Sequence, residues 1–178
     1  DFGVVSKSGT SSFDYLALKT DDRAFIDEGD YLHADVAPES ETASTLDHDQ
    51  LGPIVDAAIA LWTDSGLLNQ DQIDFLESLV FEIADLDGLA LGVSFGNTIV
   101  IDVNAAGWGW FVDSTPDEDG DIFAEMDLLT VVMHEIGHVV GYEHEPDGLM
   151  AETLSAGDRE ALVVEVEITS DRYAETLD

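Results

Sequence analysis

The 178-residue chain has no cysteine, which excludes a disulfide framework and any thiolate metal site. Basic residues are nearly as scarce: five Lys+Arg stand against 40 Asp+Glu, a net charge of −35. Such a surface repels phosphate backbones and anionic membranes, so nucleic-acid binding is excluded first. No apolar run approaches the ~20 residues of a membrane span, and DFGVVSKSGT at the N-terminus lacks the apolar stretch of a signal peptide. The chain starts without Met and reads as a mature or excised piece of a longer exported protein, with which the missing cysteines are compatible. Hydrophobic residues at 45% exclude a disordered chain. The acidity itself suits a solvated surface in salty water, a set of calcium-binding carboxylates, or both.

The length suits one domain with its own core. Residues 1–45 form the least patterned part: one alternating stretch, Phe13–Leu18, precedes the linker-like APESETAST of 37–45. They are assigned to an N-terminal segment, and the main domain to 46–178. From Leu51 the apolar residues Leu51, Ile54, Val55, Ala58, Ile59 and Trp62 follow helical spacing, with Asp49 as cap and Pro53 tolerated in the first turn. Asn69 and Gln72 resemble a capping box that opens a second, short helix. Leu79–Ala84 and Thr98–Val103 read as strands, each followed by turn residues, ADLDGLALG (84–92) and NAAGWG (104–109). Asp127 caps a helix over about 128–140 that stops near Gly141. Past Met150, Ser155 and Asp158 could cap a last helix, whereas LVVEVEI (162–168) alternates like a strand.

Only five histidines are present, and three fall within eleven residues of TVVMHEIGHVVGYEHEPDGLM (130–150). On a helix, His134 and His138 share one face and form a two-imidazole clip for Zn²⁺. Gly141 lets the chain turn back, and His144 brings a third ligand from another direction. Three histidines leave one coordination position open, as in catalytic zinc sites. Zinc lowers the pKa of bound water to about 7, and Glu135, between the two helical ligands, is within reach to take that proton as the water attacks a carbonyl and to return it to the leaving amine.

HEIGHVVGYEH (134–144) resembles the HExxHxxGxxH signature of the metzincin zinc peptidases, and Met150 in DGLM resembles their Met-turn. The short gap between His144 and Met150 is similar to that of the matrixin branch. The resemblance implies one catalytic Zn²⁺ on His134, His138 and His144, Glu135 as general base, Gly141 as the turn and Met150 as the structural methionine. It implies an α+β zincin-like fold: a twisted mixed sheet with a long first helix and an active-site helix above the cleft, to about residue 141, and a small C-terminal subdomain over 142–178. No Tyr closely follows Met150, so the site is three histidines plus water. His33 and His48 read as surface residues, and no second zinc is expected. With no cysteine to silence a proenzyme, an inhibitory segment within 1–45 would have to cover the zinc with a carboxylate such as Asp21, Asp22 or Asp35.

The expected function is a secreted, monomeric zinc endopeptidase whose protein or peptide substrate adds to an edge strand near Asn97–Val103. The competing reading is a non-catalytic, calcium-stabilised module of a large extracellular or adhesive protein that keeps the fold as scaffold; the intact Glu135 favours the enzyme. Asp117, Asp119 and Asp121, with Glu125, are either a calcium site or a solvated acidic loop. Asp85 and Asp87 are explained by their turn, Trp108 and Trp110 close a core or line the cleft, and Asp102 and Asp113 orient loops.

Overall fold

A computed structural model describes residues 31–40, 43–115 and 124–163. The first element, strand β1 (Tyr31–Ala34), belongs to residues assigned by composition to the N-terminal segment, yet it pairs within the main sheet. Leu32, Ala34 and Leu46 join the core. Helix α1 spans His48–Asp64 and buries Leu51, Ile54, Ala58 and Trp62, the stripe that its spacing predicts. Its cap is Asp47 rather than Asp49: Asp47 accepts from Gln50 N at 2.9 Å and Gln50 Oε1 accepts from Asp47 N at 3.2 Å, a full capping box. Pro53 consequently falls in the second turn, where it forgoes one main-chain bond. Asn69 and Gln72 make the expected capping box of α2 (Gln70–Leu76).

Strands β2 (Val80–Ala84), β3 (Ala90–Phe95) and β4 (Thr98–Asp102) follow. The five-stranded mixed sheet has the order β2-β4-β3-β1-β7, where β7 is Thr153–Leu154. β2 and β4 run parallel, β4 and β3 antiparallel, β3 and β1 antiparallel, and β1 and β7 parallel. β3 corrects the expectation of a turn running to residue 92. LALGVSF and TIVID flank a two-residue Gly96-Asn97 loop, with Gly96 at φ 62°, and this is the pattern of a β-hairpin. β4 is flanked on both sides, so it has no edge to offer a substrate near Asn97–Val103.

Short strands β5 (Trp110–Phe111) and β6 (Met126–Asp127) pair in parallel and lead into α3 (Leu128–Val139). Every residue of α3 from Leu128 to Gly137 is buried, because α1 and β3 both pack against it. Trp62 Nε1 donates to Met133 O at 3.0 Å, pinning α1 to α3. The predicted helix opened by Ser155 does not form over 155–163, where Asp158 N closes a turn on Ser155 O; the remainder of LVVEVEI, like Phe13–Leu18, lies outside the described residues. No helix among the described residues is long and apolar enough to cross a membrane.

Candidate metal centre

One turn of α3 separates His134 from His138, and their Nε2 atoms stand 2.9 Å apart. Gly141, at φ +100°, takes the chain off the helix, with its amide donating to His138 O and that of Tyr142 to Gly137 O. The returning segment sets His144 Nε2 at 3.1 Å from His138 Nε2. These three are the metal-holding group among the described residues. Nitrogens bound to zinc at about 2.0–2.1 Å and tetrahedral angles stand roughly 3.3–3.4 Å apart. The set fits after opening by a few tenths of an ångström.

The far nitrogens are also tied down. His134 Nδ1 lies 2.7 Å from Leu149 O and His138 Nδ1 lies 2.9 Å from Tyr142 O. A carbonyl oxygen can only accept, so each Nδ1 carries the proton and each Nε2 keeps a lone pair for a metal. Burial lowers the His134 pKa from 6.5 to about 3, against the opposing pull of its bond to Leu149. The ring is therefore neutral, as a ligand must be.

Glu135 is 0% exposed, and its Oε1 accepts from Leu32 N at 3.4 Å. Room for this carboxylate comes from Gly92 on β3: a Cβ there would lie 2.8 Å from Oε1 and 2.9 Å from Cγ. Gly137 has a matching role on α3. A Cβ there would lie 2.6 Å from Met150 Sδ and 3.2 Å from Trp62 Cζ2, so Met150 packs directly against the helix turn that carries the ligands. Gly137→Ala should therefore lower stability by up to roughly 2 kcal/mol, the difference between an overpacking cost of about 1–3 kcal/mol and a helix-propensity gain of about 1 kcal/mol. Urea denaturation checks this, and a stabilised variant would contradict it.

The N-terminus of α3 is held by a second polar group. Asp127 accepts from Thr130 N at 3.0 Å and Thr130 Oγ1 at 2.6 Å through Oδ2, and from Arg159 at 2.8 Å through Oδ1. Arg159 also donates to Thr115 O, pairs with Asp113 at 3.5 Å and lies over the Phe111 ring, while Glu160 N donates to Thr130 Oγ1. Hydrogen bonds from Thr115, then the Arg159 charge, hold the Asp113 carboxyl below its usual range. The loop-orienting role expected of Asp102 takes a definite form: its two oxygens accept from the amides of Leu86, Asn104 and Ala106. Trp110 is buried in the core, and half-buried Trp108 donates to Val36 O just after β1.

His134, Glu135, His138, Gly141, His144 and Met150 thus come together. Asp117, Asp119 and Asp121 lie outside the described residues, as do Asp21 and Asp22; Glu125, Asp35, His33 and His48 are exposed. Sequence reasoning missed Gly92, Gly137, Arg159 and Leu32. A glycine inside a helix and a lone arginine among carboxylates were signals; nothing local marked Gly92 or Leu32. The family model described as Matrixin matches residues 13–171. No curated protein and no solved structure matches the chain.

Proposed function

The chain belongs to the matrixin family, and from that premise we propose that it is a zinc-dependent endopeptidase with Glu135 as general base. The carrying observation is the convergence of three imidazole Nε2 atoms, close enough together to hold one metal ion, on the helix that carries a buried carboxylate. Bound zinc would supply Lewis acidity to a water and to the scissile carbonyl. His134, His138 and His144 would hold it, the first two oriented by Leu149 O and Tyr142 O. Glu135 Oε1 takes the proton from the attacking water and passes it to the leaving nitrogen. Gly92 and Met150 keep the carboxylate and the ligand-bearing turn in register. Action on peptides outside the cell is part of the same reading and rests on the family.

The purified chain should bind about one zinc and digest casein, and a chelator should abolish digestion until zinc is restored. Confirmed zinc occupancy with no cleavage across varied proteins would sink the peptidase reading and favour the non-catalytic module.

A further inference from the structure

Strand β1 runs through the space that a substrate of Glu135 would need. The Leu32 amide donates to Glu135 Oε1 at 3.4 Å, and the carboxylate is fully buried with β1 in place. On one side β1 pairs antiparallel with β3 (Tyr31 with Val93, Leu32 with Gly92, His33 with Ala90). On the other it runs parallel to β7, His33 facing Thr153 and Ala34 facing Leu154. The amides of His33, Ala34 and Asp35 donate in turn to Glu152 O at 3.1 Å, Leu89 O at 2.8 Å and Leu154 O at 3.0 Å. That alternation between two walls is how an extended peptide is gripped by its main chain, with every second side chain left to a pocket. Leu32 is 2% exposed and Ala34 is likewise buried, while His33 and Asp35 face outward. Ser94 and Phe95, which follow Val93 on β3, line a cavity of ≈ 280 Å³ together with His138, Tyr142 and Glu143.

A purely structural strand here would leave the general base permanently covered. The geometry points to residues 31–35 as a substrate held in cis, with Tyr31–Leu32 as the bond presented for hydrolysis. The inference rests on the peptidase reading above. Glu135 removes a proton from water, the resulting hydroxyl oxygen bonds to the Tyr31 carbonyl carbon, and the Tyr31 C–Leu32 N bond breaks. Glu135 then delivers the proton to the Leu32 nitrogen, the atom its Oε1 already touches. One water is consumed, and the products are a Tyr31 carboxyl and a Leu32 amine.

The full chain and its Glu135→Gln variant, purified under chelation, are given zinc and followed by intact mass and N-terminal sequencing, with casein digested in parallel. The wild type should begin at Leu32 on isolation or convert to it at a rate unchanged by dilution, and the variant should stay whole. In the zinc-free variant, the amides of His33, Ala34 and Asp35 should exchange slowly. A wild type that cleaves casein with Tyr31–Leu32 intact overturns the inference and leaves the peptidase reading standing, whereas cleavage of neither overturns both. Cutting elsewhere, cutting that slows on dilution, or fast exchange of those amides overturns the arrangement in cis.

Discussion

Glu135→Gln should leave about one zinc per chain bound and lower kcat/KM on a peptide substrate by roughly 10²–10⁴-fold, the usual contribution of a positioned general base. The substitution is chosen for shape. Glu135 is buried against Gly92 with no spare volume, so a smaller residue would add a cavity while a glutamine fills the same space. An amide oxygen can still accept from the Leu32 amide at 3.4 Å, so β1 keeps its anchor. What disappears is the ability to carry a proton. Leu149 O and Tyr142 O anchor His134 and His138, and the Gly141 turn brings His144 to them, so zinc content and activity should separate. Metal analysis and steady-state kinetics on the same preparation make the check; activity within a few-fold of wild type, or loss of zinc along with activity, would remove Glu135 from the role proposed.

Arg159→Met should cost about 3–5 kcal/mol of stability, because it leaves the Asp127 carboxylate buried without its cation. Asp127 is 0% exposed and Arg159 15%, so the pair is shielded from the solvent that weakens surface ion pairs. Methionine keeps much of the aliphatic length and removes the guanidinium, with its charge, its hydrogen bonds and its contact over the Phe111 ring. The charge is a scarce one in this chain, which has five Lys+Arg against 40 Asp+Glu. It joins the C-terminal segment, the Asp113–Thr115 loop and the cap of the ligand-bearing helix. Adding Asp127→Asn to Arg159→Met should recover part of the loss, since no unpaired charge then remains. Urea denaturation of both variants tests this, and a single-variant loss under about 1 kcal/mol would show the pair to be unimportant.

Local chemistry made α1, α2 and α3 legible. Their apolar spacing, the Asn69–Gln72 box and the Gly141 stop act within one or two turns of chain, and the folded elements agree to within a few residues. β3 was legible in principle, since the Gly96-Asn97 loop between two apolar runs is a hairpin pattern; Gly88 and Gly92 drew the reading toward a turn instead. Gly92 is in the strand for a reason that no window of sequence contains, the carboxylate of a residue 43 positions later (135 − 92).

The zinc ligand set follows from sequence because helical period and one glycine bend are local constraints, and three ligands within eleven residues leave the backbone few other ways to arrange them. Tertiary structure alone decided what surrounds that set. The parallel pairing of β1 with β7 and the contact of Leu32 with Glu135 join residues more than a hundred positions apart. Pairings of that kind depend on loop closure and on burial shared among distant elements, which a residue's immediate neighbours do not encode.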